Sequence, residues 1–108
     1  MKELDKVFEE GLFKYEQIKR AENIAIYKRY KIGQPLAFHY EVVNIMLWKE
    51  RSIFNKIYPA GEYYPSPSDW GVHGFTYYGT KFGEEKALKK FEELLAHNAL
   101  RANTLEEK

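Results

Sequence analysis

Three histidines, His39, His73 and His97, are the first residues to test for chemistry. Histidine titrates near neutral pH and serves as base, nucleophile or metal ligand. None of the three pairs with another at helical metal-ligand spacing, and the chain has no cysteine to complete a set. A metal site would have to draw His73, Asp69 and Glu62 together through space, and such sites normally need three or four ligands. No metal and no cofactor is therefore expected. His39 reads as an exposed strand residue and His97 as a base at a helix C-terminus, where the dipole favours it. Hydrolysis needs a serine or an acid beside an oriented base. Ser66 and Ser68 are better explained as turn formers, and nothing in the sequence places Glu41 and Asp69 together. "GVHG" (Gly71–Gly74) lacks the lysine and the downstream helix of a phosphate loop. With no catalytic constellation, the expectation is a protein that is not an enzyme.

A different concentration of chemistry runs from Tyr63 to Gly79, "YYPSPSDWGVHGFTYYG". It holds six aromatic residues, three glycines and two prolines. Rings placed where the backbone is punctuated either pin a long loop to the core or are displayed to a partner. "SPSD" has the form of a capping box, with Ser66 and Asp69 bonding reciprocally and Pro67 at the first helical position. Gly71 can then take a left-handed conformation, and Gly74 frees the backbone before Phe75. These features give the loop one defined shape, with Trp70 folded back onto a sheet. Adjacent strand residues point to opposite faces, so one of Tyr63 and Tyr64 should be exposed. If the loop is a recognition surface, Tyr63, Tyr64, Trp70 and His73 are the partner-binding candidates, since Trp and Tyr are common interface anchors.

A second candidate surface is basic. Between Lys14 and Lys31 six bases face two acids, whereas residues 1–10 hold two bases and four acids. Tyr27, Arg29 and Lys31 alternate with the opposite face of a strand that carries Ile24 and Ile26. If a helix covers the isoleucines, then Tyr27, Arg29, Lys31 and His39 are open to solvent. Basic side chains and rings on a sheet can hold a single nucleic-acid strand by phosphate contact and stacking. Such a stripe can also simply blunt edge pairing.

The elements that must position these groups follow from periodicity. Leu4, Val7 and Phe8 recur at helical spacing, which predicts a short helix over 2–10, ended by Gly11. Residues 12–31 fit a hairpin with a turn near Arg20–Asn23, the preferred reading, or a continued helix. Ile24–Lys31 is a strand on either reading. "LAFHYEVVNIMLW" reads as one long strand, with Phe38, Tyr40, Val42 and Met46 on its core face. "KERSIFNKI" reads as a polar connection anchored by Ile53, Phe54 and Ile57, with one helical turn. "FTYY" is a last short strand, an edge that could pair with a second copy. In "GEEKALKKFEELLAH", Ala87, Leu88, Phe91, Leu94 and Leu95 share one helix face. Thr80 is its cap and Glu84 and Glu85 suit its N-terminus. Residues 98–108 are expected to fray. The expected fold is α+β in two layers: a small antiparallel sheet of three to four strands, the C-terminal amphipathic helix on one face, and a short N-terminal helix. A helical first segment would instead give the α-β-β-β-α order of the double-stranded RNA-binding domain, but Glu84 and Glu85 stand where that domain carries bases.

At 108 residues the chain makes a single domain. Aromatic residues are 17% of it, a share that argues for a packed fold rather than disorder. Absence of cysteine excludes disulfides and thiolate catalysis and fits a reducing cytoplasm. The formal net charge of +1 favours neither nucleic acid nor a membrane globally, and no stretch resembles a signal core or a membrane span. Taken together, "IAIYKRY", "YEVVNI", "PAGEYYPSPSDWGVHGFTY" and "EEKALKKFEEL" resemble small uncharacterised proteins encoded by phages and mobile elements of gut bacteria. The most specific element has the form YPSxxDWGxxG[FW]TY. The resemblance implies a bacterial cytoplasm and a phage or accessory origin, and carries no catalytic residue. The functional expectation is a non-enzymatic binding protein acting on a host or phage macromolecule, monomeric or dimeric. A protein partner is expected first and a nucleic acid second, with no membrane partner. Anti-defence activity is one role within that class.

Overall fold

The computed structural model describes residues 2–106. Among the described residues nine strands precede one long helix. They are β1 (Val7–Glu10), β2 (Phe13–Ala21), β3 (Ile24–Lys31), β4 (Phe38–Asn44), β5 (Met46–Trp48), β6 (Arg51–Ile53), β7 (Lys56–Tyr58), β8 (Gly61–Tyr63) and β9 (Gly74–Tyr78), followed by α1 (Lys81–Glu106). Five strands form an antiparallel sheet in the order β1-β2-β3-β4-β9; β5 pairs with β8, and β6 with β7. The molecule is thus α+β, with more strands than the sequence pattern predicts.

Among the described residues no N-terminal helix forms. Lys2 bridges to Gly61, and Val7–Glu10 pair with Phe13–Glu16. Leu4 and Phe8 do pack inward, but Val7, the third residue of the helical pattern, is exposed. The two-residue Gly11–Leu12 loop carries Gly11 at φ +62, where a type II′ hairpin turn requires a positive φ. That turn gives the N-terminal segment a strand to pair with, and pairing overrides its periodicity.

The predicted hairpin is present as β2–β3. Its turn is Glu22–Asn23, and a bulge at Ile18 lets Gln17 and Lys19 face opposite sides. The predicted long strand breaks at Ile45 into β4 and β5. The polar connection contains no helical turn. It is the β6–β7 hairpin, reversed by Phe54 and Asn55 at φ +49 and +64. Its expected anchors Ile53, Phe54 and Ile57 are all exposed. Strands β5 to β8 together form a two-stranded arm projecting from the sheet.

α1 begins as predicted. Thr80 caps it, its hydroxyl accepting from Gly83 N–H at 3.0 Å. The helix continues to Glu106, through most of the segment expected to fray; residues 107 and 108 lie outside the described residues. Ala87 and Phe91 pack with Ile24, Ile26, Tyr40 and Val42 on one face of the sheet.

The opposite face is also a core. Tyr15, Ala25, Tyr27, Val43 and Ile45 are buried there beneath Leu4, Phe8, Phe13, Tyr64 and Trp70. Both sides of β4 are therefore covered, not the Phe38–Tyr40–Val42 side alone. The aromatic loop serves as an irregular layer over the face that the helix leaves free.

Candidate functional site

The aromatic loop folds from its own chemistry. Asp69 accepts hydrogen bonds from Ser66 N–H at 3.0 Å and Ser66 Oγ at 2.9 Å, closing a turn over Pro67–Asp69. These bonds hold the Asp69 carboxyl below its ordinary range. Gly71, at φ +90, turns the chain back, and Gly71 N–H donates to Gly74 O. Trp70 then lies on Gly74, where an added Cβ would meet the indole at 2.4 Å. Only a glycine lets the ring settle on β9.

Tyr64 is the keystone of this layer. Its ring centroid lies 5.3 Å from Tyr15, 5.2 Å from Tyr27, 5.6 Å from Phe8 and 6.3 Å from Trp70. The first three contacts are edge-to-face and the one with Trp70 is stacked, and such ring pairs add to the stabilisation from burial alone. The Tyr64 hydroxyl donates to Glu41 Oε1 at 2.6 Å. Burial, with the neighbouring Glu41 charge, pushes the Tyr64 hydroxyl far above its ordinary pKa, so it remains a donor.

Glu41 is the only buried acid among the described residues, at 5% exposure. Beyond Tyr64, its Oε2 accepts from Thr76 Oγ1 at 3.4 Å and lies 4.0 Å from Arg29 Nε. Trp70 Nε1 donates to Thr76 Oγ1 at 2.9 Å, so the loop, β4 and β9 share one chain of hydrogen bonds. Desolvation raises the Glu41 pKa, and the bonds from Tyr64 and Thr76 and the Arg29 charge oppose it. Arg29 stacks on Phe13, its guanidinium 3.8 Å from the ring centroid, and donates from Nε to Tyr15 Oη at 3.1 Å.

These groups line a pocket of about 530 Å³ bounded by Glu10, Tyr15, Arg29, Glu41, Tyr64, Pro65, Ser66, Pro67, Trp70 and Thr76. Its size suits a small molecule or one or two side chains of a larger partner. Rings form the walls, while Glu41, Thr76 and Arg29 supply polar groups to the lining.

The predicted residues divide around this pocket. Tyr64 and Trp70 form its walls. Tyr63, its neighbour, points away along the arm, its hydroxyl donating to Pro59 O. His73 lies in the turn before β9, its Nδ1 3.5 Å from Asn44 Nδ2, outside the pocket lining. The open basic face expected for nucleic acid is not there. Tyr27 is 0% exposed, its hydroxyl donating to Asp5 O at 2.8 Å and accepting from Gln17. Arg29 belongs to the pocket, Lys31 is exposed at the end of β3, and His39 rests against Tyr78. The helix covers the isoleucine face as expected, but the aromatic loop covers the other.

Sequence reasoning missed Glu41 as the pocket's acid. Alternation alone assigned it to an outer face, and its burial depends on Tyr64, 23 positions away. Among the described residues no group of three or more histidines and acids could hold a metal, and no helix is long and apolar enough to cross a membrane. Comparison with protein-family models, with curated proteins and with solved structures finds no match in any of the three.

Proposed function

We propose that this chain is a non-enzymatic binding protein that engages a macromolecular partner by admitting one of its polar groups into the Glu41–Arg29 pocket. The observation that carries the reading is the state of Arg29. Its Nε is committed to Tyr15, while its two terminal nitrogens have no hydrogen-bond partner among the described residues and adjoin an open, ring-walled cavity. Glu10 and Glu41 outnumber that one base in the lining, so a bare anion is disfavoured. An uncharged group with both an acceptor and a donor, a carboxamide or a peptide unit, fits better. The acceptor would meet the Arg29 fork and the apolar stem would lie on Trp70. That chemistry points to a protein partner.

Catalysis is disfavoured by the same geometry. A general base needs an oxygen within reach of substrate. Both Glu41 oxygens are already engaged, one by Tyr64 and the other by Thr76 beside Arg29. The nucleic-acid reading loses its stacking ring with the burial of Tyr27. A phage or mobile-element origin and action in a bacterial cytoplasm, including interference with a host defence, belong to the proposal on the resemblance of the YPSPSDWG segment.

The test is affinity capture from the natural host with and without nuclease, using the intact protein and Arg29→Gln. We expect nuclease-resistant capture of a protein by the wild type and its loss in the variant. Nuclease-sensitive capture, or capture unaffected by Arg29→Gln, would overturn the pocket reading.

A further inference from the structure

The arm formed by β5 to β8 ends in a tip that contributes nothing to either core. Phe54 is 98% exposed, and Ile53 and Ile57 are exposed beside it. Register places Ile53 opposite Lys56 on one face of the ribbon and Ile57 opposite Ser52 on the other. Each face of the tip therefore carries one isoleucine, and only a partner that the tip enters end-on could cover both together with Phe54.

Backbone geometry singles out Phe54 further. It occupies the first position of a two-residue hairpin loop at φ +49, followed by Asn55 at φ +64. Two positive φ values define the type I′ turn, which prefers Asn, Asp or Gly there. A large ring in that position is sterically unfavourable for the turn. A strained residue that packs against nothing points to a role outside the fold.

Behind the tip the composition changes. Trp48 and Tyr58 flank the arm, and Lys49, Arg51 and Lys56 outnumber its one acid between Met46 and Tyr58, Glu50. Lys56 stands level with Ile53, but its ammonium folds back to 5.2 Å from the Tyr58 ring centroid. The Arg51 guanidinium is surrounded by the rings of Trp48 (4.6 Å), Tyr58 (5.7 Å) and Tyr63 (5.6 Å). Its Nε is buried without an acceptor, and no carboxylate lies within ion-pair distance of it among the described residues. The arm's root, by contrast, is fixed. Arg20 holds Glu62 in a two-point ion pair at 2.7 and 2.8 Å, and Glu62 also accepts from Leu4 N–H at 3.0 Å. The apolar tip is thus carried on a held stem.

Apolar tip, Trp and Tyr behind it, and basic residues around them form the sequence of layers that a bilayer presents in reverse. Acyl chains lie deepest, then the interface that favours Trp and Tyr, then anionic headgroups. We propose that the arm docks the protein peripherally on an anionic lipid surface, with Phe54, Ile53 and Ile57 entering the acyl boundary and Lys49, Arg51 and Lys56 meeting the phosphates. The expectation of no membrane partner rested on overall charge and the lack of a spanning segment, and neither bears on a short ribbon. A single nucleic-acid strand would use the rings and bases but leave the aliphatic tip unexplained. This surface is separate from the pocket and does not depend on its function.

Vesicle co-sedimentation tests the proposal with the full chain. Wild type should sediment with vesicles of phosphatidylcholine containing about one third phosphatidylserine at low salt, and release as salt rises. Replacing Lys49 or Lys56 by Gln should each weaken binding by about fivefold, from about 1 kcal/mol per base near the surface. Phe54→Asp should abolish sedimentation without lowering the melting temperature, since Asp suits the turn and the ring packs on nothing. Failure of the wild type to bind anionic vesicles, equal binding to pure phosphatidylcholine, or undiminished binding by Phe54→Asp would each overturn it.

Discussion

Glu41 and Glu62 are carboxylates pulled in opposite directions by their surroundings. Desolvation raises Glu41, whereas the Arg20 ion pair and the Leu4 N–H lower Glu62 to about 2. A raised carboxyl is protonated more readily in the folded state than in the unfolded. Its contribution to stability therefore declines as pH rises from its ordinary value of 4.5 toward the raised one. A lowered carboxyl does the reverse, stabilising above its ordinary value and losing that stabilisation as pH falls toward 2. Urea melts at several pH values separate the two. The stability of wild type relative to Glu41→Gln should fall as pH rises above 4.5, and its stability relative to Glu62→Gln should fall as pH drops below it. A pH-independent difference in either variant would contradict the assignment for that residue. Gly74 supplies a steric test at the same scale. In Gly74→Ala the new methyl meets the Trp70 ring, and the variant should lose about 1–3 kcal/mol in a denaturant melt, the range for overpacking.

Among the elements, the arm carries a prediction of unusual sign. Most substitutions destabilise, but Phe54→Asn relieves a left-handed aromatic residue and removes no packing. It should stabilise the fold by about 1 kcal/mol, comparable with the cost of the left-handed conformation for an ordinary residue. A loss of stability would show that the ring does pack. The elements also differ in how far the sequence disclosed them. The β2–β3 hairpin and the start of α1 were legible because alternation, apolar spacing and caps agree locally. The N-terminal segment was not, because Leu4, Val7 and Phe8 satisfy a helical period while a two-residue turn at Gly11 offers a strand partner. The arm was not legible either, since Ile53, Phe54 and Ile57 look like anchors and only the three-dimensional structure reveals that they face solvent. For the pocket, Trp70 and Tyr64 were visible as rings in a shaped loop. Glu41 and Arg29 were not visible as its floor, because a period of two assigns faces without saying what covers them.

At the scale of the whole molecule, one sheet supports two cores built by different means. A regular amphipathic helix covers the Ile24–Ile26 face. The Tyr27–Val43 face is covered by the N-terminal segment and a proline- and glycine-shaped loop whose rings interlock through Tyr64. The dense aromatic stretch is thus structural in the first instance, and the pocket is the gap left where loop meets sheet. Trp70 joins both roles, closing the pocket and bonding to Thr76. A thermal melt of Trp70→Ala tests this account most directly. Being half-buried, Trp70 should contribute about 3 kcal/mol, the low end of the range for large rings. For a domain of this size that corresponds to a fall of roughly 10–20 °C in Tm. A melting temperature equal to the wild type's would contradict the account, because it would mean that the loop covers the sheet without holding it.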